Sequence, residues 1–375
     1  MRIVHIVIGK ANPESLNGIS RIIHGMATAQ RRQGHRAEIW GLADSVNLTP
    51  RHREYEMRVY KRTRARFLLS RELRSAVEQI EPGTWVQFHS GFTPEYAMIA
   101  GQLRERGIAY GISAHGGYAG GVLTKGRWKK KLYFSLFEKD FLGGAAWVHT
   151  LGPTEIEDLH KLVPQVQAVI IPNGQEAIPI PQPIADPGLE RPLIGYCGRL
   201  TMRVKGLDFL VRGFSEYKAR GGKGHLWLIG DGEDRAILET IAAEGSAPGS
   251  ISFLGAKFGQ EKNQLVASVD AFIHSSRWDA MPTACLEAAA LGRPLLVSPH
   301  INIAEHVRRC NAGLLLDETS TGGVLRALER VEELYGAGKL QELGDNGRRL
   351  IEQEFSWEEN AKRFIAAIEA NFALA

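Results

Sequence analysis

The sequence contains only three cysteines, and none of its apolar segments is long. Cys197, Cys285 and Cys310 lack the spacing of a metal site or a disulfide framework, so we expect reduced thiols in a cytosolic protein. No apolar run approaches the roughly 20 residues that a membrane-spanning helix needs. The first apolar run, residues 3–8, is too short and too rich in β-branched residues for a signal peptide. These absences disfavour disulfide-rich secreted proteins and integral membrane proteins.

Three common enzyme motifs are also absent. No G-x-G-x-x-G follows the first strand-like run, and LIGDGED at residues 228–234 does not match it either, which disfavours binding of NAD or FAD. The chain has no Asp-x-Asp pair to hold Mg²⁺ or Mn²⁺ on a nucleotide diphosphate. It also lacks the G-x-S-x-G turn that carries the nucleophile of α/β-hydrolases.

The net charge of +4 is distributed unevenly: residues 1–180 carry +8 and the remainder carries −4. The excess lies in two basic runs, residues 51–74 and 124–142, and the second interleaves Lys and Arg with Trp128, Tyr133, Phe134 and Phe137. Two interpretations stay open, a solvated helix face above core aromatics or a surface that approaches anionic lipid or a polyanionic acceptor. Nucleic acid is disfavoured as a partner, because no DNA- or RNA-binding module accompanies the charge.

Strand-like and helix-like stretches alternate along the whole chain. Short apolar runs, such as RIVHIVI at residues 2–8 and WVQFHS at 85–90, are separated by segments with helical apolar spacing. Such alternation is typical of βαβ units, which build mostly parallel sheets covered on both faces. Six of the sixteen prolines fall within residues 171–192, and a second alternation follows them. The sequence therefore predicts an α/β fold with two doubly wound, Rossmann-like domains that face each other across a cleft.

The changes in composition set the expected domain boundaries. We place the N-terminal domain at residues 1–178, a proline-rich linker at 179–192 and the C-terminal domain at 193–355. Residues 356–375 form an amphipathic helix, in which Ser356 can cap the start with Glu359 at capping-box spacing. We expect this last helix to cross back to the N-terminal domain.

The segment GYCGRLTMRVKG ends a predicted strand at Gly198 and places Arg199 and Lys205 in the loop that follows. Two long cations at the carboxyl end of a strand suit a diphosphate, because Arg offers a bidentate fork and Lys a point charge. Taken alone, the segment favours two surface cations in a flexible loop over a diphosphate site.

The segment SSRWDAMPTACLE follows another predicted strand and holds two carboxylates, Asp279 and Glu287. Pro282 suits the first turn of a helix that continues to Leu291, because the missing proline N–H is not needed there. The amides around that turn, at residues 280, 281, 283 and 284, would be donors for an anion or a hydroxyl. An acid/base pair for hydrolysis is disfavoured, because carboxylates on one loop–helix unit line one wall of a cleft and do not flank a scissile bond.

Together these segments resemble the retaining glycosyltransferases of family 4, which have the GT-B fold. The family pattern is Arg-x5-Lys followed by an acidic pair E-x7-E with a proline between, and Arg199 to Lys205 and Asp279 to Glu287 fit both spacings. Further resemblances cover essentially the whole chain: NGISRIIHGMATAQRRQGHRAEIW, SAHGGY, HTLGPTEIEDL, IPNG and FSWEENAKRF occur in the family's order.

The resemblance implies a role for each matching residue. Arg199 and Lys205 would hold the diphosphate and neutralise its charge as it leaves. Glu287 would accept hydrogen bonds from the ribose hydroxyls. In the other domain, His115 would contact the donor sugar or the acceptor, and Gly18 would let the backbone approach a phosphate closely. The loop of Ala280, Met281, Pro282 and Thr283 would present its amides, which Pro282 lacks, to the donor, and Asp279 would face the sugar hydroxyls.

Two departures from the family pattern concern the donor site. Asp279 stands where the family has glutamate, with Ala280 where glycine is common, so donor choice is expected to differ. Asn17 replaces one of two glycines beside Gly18. Of the remaining polar candidates, His89 is open between a packed histidine and a substrate contact. His274 is expected to end a core strand and Glu155 to stabilise a helix start.

The resemblance implies a cytoplasmic enzyme, and residues 51–74 and 124–142 are the candidates for contact with the inner membrane face. It would transfer a sugar from a UDP- or GDP-linked donor to a glycan or lipid-linked acceptor in bacterial surface polysaccharide or lipopolysaccharide synthesis. Neither a metal nor another cofactor is expected. The N-terminal domain would serve the acceptor and the C-terminal domain the nucleotide sugar. Two rivals stay open, a sugar-nucleotide epimerase of the same fold and a nucleotide-sugar-binding protein without turnover.

Overall fold

A computed structural model describes residues 1–10, 18–47, 53–118, 127–184, 188–245 and 249–374. The chain forms two compact units: unit 1 comprises Met1–Gly174 and Trp357–Ala375, and unit 2 comprises Gln175–Ser356. The division therefore falls at the start of the proline-rich segment and again just before the last helix. Within the described ranges, no helix is both long enough and apolar enough to cross a membrane.

Unit 1 is built on a parallel sheet, which has seven strands within the described residues. The strands are β1 (Arg2–Ile8), β2 (Arg36–Ala43), β3 (Glu56–Lys61), β4 (Trp85–His89), β5 (Tyr110–Ser113), β6 (Trp147–Thr150) and β7 (Ala168–Ile170). Their order is β3-β2-β1-β4-β5-β6-β7. Strands β2 and β3 therefore lie on one side of β1, and strands β4 to β7 lie on the other. Ligands of such sheets bind outside the carboxyl ends of the strands where the order reverses.

Helices cover the sheet of unit 1. They are α1 (Gly18–Arg32), α2 (Arg71–Glu78), α3 (Pro94–Glu105), α4 (Arg127–Tyr133), a π-helical turn (Phe134–Glu138), α5 (Lys139–Gly143) and α6 (Pro153–Leu162). The central strand β4 is buried along its whole length, as expected for a near-continuous apolar run in a parallel sheet.

Unit 2 repeats this architecture with a parallel sheet that has six strands among its described residues. The strands are β8 (Leu193–Cys197), β9 (His225–Ile229), β10 (Ile251–Gly255), β11 (Ala271–His274), β12 (Leu295–Val297) and β13 (Gly313–Leu315), in the order β10-β9-β8-β11-β12-β13. The helices are α7 (Met202–Lys205), α8 (Leu207–Ala219), α9 (Arg235–Glu244), α10 (Gly259–Ser268), α11 (Thr283–Ala290), α12 (Ala304–Arg309), α13 (Thr321–Gly336) and α14 (Leu340–Glu354). The predicted α/β class with two doubly wound parallel sheets is confirmed.

The last helix, α15 (Trp357–Leu374), packs within unit 1, where Phe364 and Ile368 join the buried cluster around Trp85 and Trp147. Its first residue, Trp357, lies against two glycines, Gly25 of α1 and Gly174. A Cβ at either glycine would collide with the indole ring. Glycine at these two positions therefore makes room for the residue that begins the crossover helix.

Two edge strands differ from the sequence expectation. β3 lies inside the basic run 51–74, where a helix face was one interpretation, and its side chains alternate between exposed and half-buried. β7 has three residues and no fully buried side chain. Neither strand has the apolar run that identifies a buried strand in sequence. Residues 51, 52 and 124–126 of the two basic runs lie outside the described residues.

Candidate functional site

The site predicted in unit 2 lies at the point where its sheet changes direction. Strands β8 and β11 are neighbours, and the chain adds β9 and β10 on one side and β12 and β13 on the other. The loop after β8 carries Arg199 and Lys205, and the loop after β11 carries Asp279. Because the strands are parallel, both loops leave the same edge of the sheet. The two segments singled out in the sequence are therefore brought together.

Backbone geometry brings the short helix α7 close to β11. Gly206 ends α7 with φ of 62°, and a Cβ there would collide with the backbone oxygen of Ser275. The hydroxyl of Ser275 donates hydrogen bonds to the carbonyl oxygens of Lys205 and Gly206, each at 3.2 Å. At the start of α7, the amide of Met202 donates to Asp234 at 2.6 Å. These contacts place the base of the Lys205 side chain beside β11.

The two cations of the site differ in their surroundings. Arg199 is exposed, and its guanidinium has no ion pair among the described residues. Lys205 is largely covered, and its ammonium forms an ion pair with Oδ2 of Asp279. The site therefore holds one cation already partnered by a carboxylate and one available to an incoming anion.

Asp279 is the centre of a small polar network. In addition to Lys205, Nε2 of His274 donates to Oδ2 of Asp279 at 3.1 Å. Burial opposes ionisation of the Asp279 carboxyl, but the hydrogen bond from His274 and the charge of Lys205 outweigh it and lower its pKa to about 2. His274 ends β11 as expected, and burial lowers its pKa in spite of its bond to Asp279. Asp279 is therefore an oriented carboxylate.

Arg277 and Asp208 also shape the site, and the sequence did not indicate them. The guanidinium of Arg277 binds Asp208 with two bonds of 2.7 and 2.6 Å and lies 3.8 Å from the centre of the Phe209 ring. It also donates to the carbonyl oxygen of Met202 at 2.5 Å. Arg277 thus clamps α7 and the start of α8 to the loop after β11. The only sequence signal is its position between a strand and the acidic pair.

Helix α11 begins one residue later than the sequence indicated, because Pro282 occupies the N-cap position with extended backbone. Proline has no capping side chain, and the first turn of any helix leaves amides without an intrahelical acceptor. Ala280, Met281 and Pro282 are buried, and Thr283 is half-buried. Amides of this turn remain available to a ligand.

Glu287 lies on the second turn of α11 and is buried. Its Oε2 accepts a hydrogen bond from the ammonium of Lys262, on α10, at 2.6 Å. Lys262 was not identified from the sequence, because no local spacing relates residues of α10 and α11. The ion pair keeps one oxygen of Glu287 oriented.

The remaining predicted residues lie in unit 1. Gly18 is the first residue of α1, and a Cβ there would meet no atom of the described residues within 4 Å. Asn17 lies outside the described residues. His115 follows β5 in the left-handed region, with φ of 47°. Glu155 accepts bonds from the amides of Gly116 at 2.9 Å and Leu151 at 2.5 Å, so it holds the His115 loop as well as the start of α6.

No group of three or more His, Cys, Asp or Glu side chains within the described residues could hold a metal ion.

The fold and the site define an α/β protein with two Rossmann-like units and a polar site at the switch point of the second. Two family profiles match the chain: "Glycosyl transferase 4-like domain" over residues 17–174 and "Glycosyl transferases group 1" over residues 191–333. The chain belongs to the group 1 glycosyltransferases of the GT-B fold. The resemblance drawn from the sequence motifs is therefore confirmed.

Two curated relatives and one solved structure illustrate the similarity. The lipopolysaccharide core biosynthesis glycosyltransferase LpsE of Rhizobium meliloti is 30% identical over 146 residues, which are 39% of this chain and 41% of the relative. The GDP-mannose-dependent alpha-mannosyltransferase of Mycobacterium tuberculosis is 32% identical over 126 residues, 34% of this chain and 30% of the relative. The chain thus matches less than half the length of either relative.

The solved structure is Anabaena HepE in complex with UDP-glucose. It superposes with a TM-score of 0.69 over 99% of this chain and 100% of HepE, at 14% sequence identity. At this identity the likeness shows the fold.

Proposed function

We propose that the protein transfers a sugar from a nucleoside-diphosphate sugar to a glycan or lipid-linked acceptor, with retention of anomeric configuration. The main observation behind the proposal is that Arg199, Lys205 and the first turn of α11 lie at the same edge of the sheet, at the switch point of unit 2. Together they supply two cations and uncapped amides at one edge of the sheet, the combination that a diphosphate requires.

The charge of the site suits a diphosphate leaving group. Arg199 is free to form a bidentate contact, and the ammonium of Lys205 has three donors, of which Asp279 needs one. Charge on the phosphate oxygens grows as the glycosidic bond breaks, so the two cations stabilise the transition state more than the bound donor. We assign neutralisation of the leaving group to Arg199 and Lys205, with neither a metal nor another cofactor.

Asp279 and Glu287 receive separate roles. Asp279, held by Lys205 and His274, faces hydroxyls of the donor sugar as a hydrogen-bond acceptor. Glu287, which Lys262 holds in place, accepts hydrogen bonds from the ribose. The amides of Ala280, Met281 and Thr283 contact the donor beside Pro282, Gly18 admits a phosphate close to the backbone, and His115 contacts the donor sugar or the acceptor.

The similar proteins support two classes of donor and one biosynthetic process. HepE was solved with UDP-glucose, and the mycobacterial relative is GDP-mannose-dependent, so we propose a UDP- or GDP-linked sugar. LpsE is a lipopolysaccharide core enzyme, which supports an acceptor in bacterial surface polysaccharide or lipopolysaccharide synthesis.

An exposed apolar surface of unit 1 supports the proposal that the enzyme acts at the cytoplasmic face of a membrane. Trp128, Leu132 and Leu136 follow each other at four-residue spacing, on one face of α4 and the π-helical turn, with exposures of 69%, 52% and 56%. Phe67 and Leu68 are exposed beside them, and the Phe67 ring lies 4.7 Å from that of Phe137. The exposed lysines 129, 131 and 139 surround this apolar strip. Exposed apolar side chains ringed by lysines suit an anionic lipid surface.

An activity panel tests the proposed transfer. Purified protein is incubated with UDP- and GDP-sugars, with and without membrane lipid extract, and nucleotide release and sugar products are measured. Acceptor-dependent release with a glycosylated product of retained configuration is expected. Conversion of the donor into another sugar without acceptor would indicate an epimerase, and donor binding without release would indicate a binding protein.

Vesicle flotation tests the membrane proposal. Vesicles containing phosphatidylglycerol should carry the protein, and purely zwitterionic vesicles should carry much less. The triple change W128S, L132S and L136S should abolish flotation. The control is Ile237→Ser, which removes a similarly exposed apolar side chain from unit 2. Equal flotation of the triple variant and the control would refute this surface.

A further inference from the structure

Three histidines form a continuous hydrogen-bonded line across the centre of the sheet in unit 1. His5 on β1 lies 2.9 Å from His89 on β4, measured from Nδ1 to Nε2. His89 in turn lies 2.9 Å from His115, which follows β5, again from Nδ1 to Nε2. At the inner end, Nε2 of His5 lies 2.8 Å from Oε1 of Gln30 on α1. The line thus connects a buried glutamine to His115 at the ligand-binding edge of the sheet.

Burial keeps the three imidazoles neutral. His5, His89 and Gln30 are buried completely or almost so. Desolvation lowers the pKa of His5 to about 4 and that of His115 to about 3, and it also lowers the pKa of His89. A neutral imidazole has one N–H and one lone pair, so each ring in the line donates on one side and accepts on the other. The N–H groups of the three rings therefore all point toward the same end of the line.

Gln30 fixes that direction. With Oε1 of Gln30 facing His5, Nε2 of His5 donates to it and Nδ1 of His5 accepts from His89, while Nε2 of Gln30 is buried without a partner among the described residues. By the same step, Nδ1 of His89 accepts from Nε2–H of His115. His115 is left with its lone pair on Nδ1, and that atom is buried and has no hydrogen-bond partner among the described residues.

A second observation marks the same edge as a functional one. Three residues other than glycine lie in the left-handed region at the ends of β4 and β5: Ser90 with φ of 82°, Phe92 with 56° and His115 with 47°. Such conformations cost about 1–3 kcal/mol each and cluster at ligand sites. The bond from the amide of Gly116 to Glu155 holds the residue after His115 in place. Protein contacts therefore fix the backbone and one ring nitrogen of His115, while the other ring nitrogen lacks a partner.

We propose that His5 and His89 are positioning residues that hold His115 in its Nε2–H tautomer, so that Nδ1 accepts a hydrogen bond from a sugar hydroxyl. The identity of the ligand as a sugar rests on the proposed function. The tautomer rests on the line of histidines and on the Gln30 amide that ends it. His149, the other buried histidine of this region, does not belong to the line, because it bonds to Ser113 at 3.0 Å and to the carbonyl oxygen of Ile171 at 2.6 Å.

Nitrogen-15 NMR of histidine-labelled protein tests the tautomer without any substrate. The signals of His115 are assigned by their loss in His115→Gln. We expect a protonated Nε2 and a bare Nδ1 in the free protein. A protonated Nδ1 on His115 would overturn the proposal, whether or not the protein transfers sugar.

Two substitutions of His89 test the positioning role. In His89→Asn, the side-chain oxygen can take the place of Nδ1 and still accept from His115. His89→Leu fills the buried position with an apolar side chain and cannot accept. We expect His89→Asn to keep kcat within about threefold of the wild type and His89→Leu to lower it by about tenfold or more. A purely structural role predicts the reverse order, because leucine suits the buried position better than asparagine.

A double-mutant cycle separates action through His115 from a general effect on folding. In the His115→Gln background, His89→Leu should lower kcat by no more than about twofold, since the group it positions is already gone. Independent, additive losses would overturn the proposal. If the wild type transfers sugar and His89→Leu matches it, the inference fails and the proposed function stands. If the wild type transfers no sugar, the proposed function fails and the NMR result still decides the tautomer.

Discussion

The ammonium of Lys205 and the carboxylate of Asp279 form an ion pair, although 74 positions of sequence separate them. Lys205 follows β8 and Asp279 follows β11, and these neighbouring strands flank the switch point of unit 2. We expect this ion pair to orient both side chains before a donor binds. The diphosphate then shares Lys205 with Asp279, and Arg199 supplies the second positive charge.

The Asp279→Asn variant distinguishes binding of the nucleoside diphosphate from transfer of the sugar. The change removes the charge that partners Lys205, so affinity for the nucleoside diphosphate should stay the same or rise. Transfer should fall by about a hundredfold, the size of loss seen when one oriented hydrogen-bonding group leaves a transition state. Calorimetry and a nucleotide-release assay measure the two quantities. Asp317→Asn, at an exposed ion pair with Arg326, is the control. Unchanged transfer in Asp279→Asn would contradict the role assigned to this carboxylate.

Arg277→Lys tests the clamp on α7. Lysine keeps the charge but loses the two-bond fork to Asp208 and the contact with the Phe209 ring. We expect the free energy of unfolding of unit 2 to fall by about 1–2 kcal/mol and kcat/KM to fall with it, because Lys205 lies on α7. The exposed Arg212 on α8 supplies the control, Arg212→Lys. Loss of stability in Arg277→Lys with full kcat/KM would show that the clamp does not position Lys205.

Buried histidines should make unit 1 sensitive to acid. Burial lowers the pKa of His5 and His149 to about 4 and that of His115 to about 3, below the usual 6.5. Between pH 6.5 and 4 the unfolded chain binds protons that the folded chain excludes, so stability falls as pH falls.

His149→Gln tests this sensitivity quantitatively. Removing one such group should reduce the loss of unfolding free energy between pH 7 and pH 5 by about 2 kcal/mol. Urea unfolding at the two pH values measures it. Ser113→Ala removes a partner of His149 but keeps the imidazole, so this control should retain the full pH dependence. The same pH dependence in His149→Gln and wild type would contradict the prediction.

Gly25→Ala tests how α15 is attached to unit 1. A methyl group at this position would collide with the Trp357 ring, so the unfolding free energy should fall by about 1–3 kcal/mol. Gly101→Ala is the matched control, because it also lies inside a helix but its Cβ would meet no atom within 4 Å. That control should stabilise the protein by about 0.5–1 kcal/mol, the ordinary helix preference of alanine over glycine. Thermal unfolding of both variants measures the difference, and equal shifts would refute the packing role of Gly25.

The sequence predicted much of the fold because its central strands are buried. Runs such as β1, β4 and β8 are mostly apolar and mostly buried, and parallel strands place their carboxyl ends along one edge. Arg199, Lys205, Asp279 and Glu287 could therefore be placed in one region from the positions of their strands. The edge strands β3 and β7 were missed, because strands with exposed side chains have no continuous apolar pattern.

The partners of the site residues could not be predicted in the same way. The bonds from Arg277 to Asp208, from Lys262 to Glu287 and between the three histidines join elements far apart in sequence. Their formation depends on strand order and on the angle of each helix, and neither leaves a local spacing to detect.

Calorimetric titration with UDP and GDP measures whether Arg199 and Lys205 hold a nucleoside diphosphate at the switch point of unit 2. Each of Arg199→Ala and Lys205→Ala should weaken binding of the preferred nucleotide by about ten- to a hundredfold, the worth of a charge-assisted hydrogen bond. Arg203→Ala removes an exposed cation from the same short helix and should change binding by less than about twofold. Equal affinity in all four proteins, or no binding of either nucleotide by the wild type, would contradict the account.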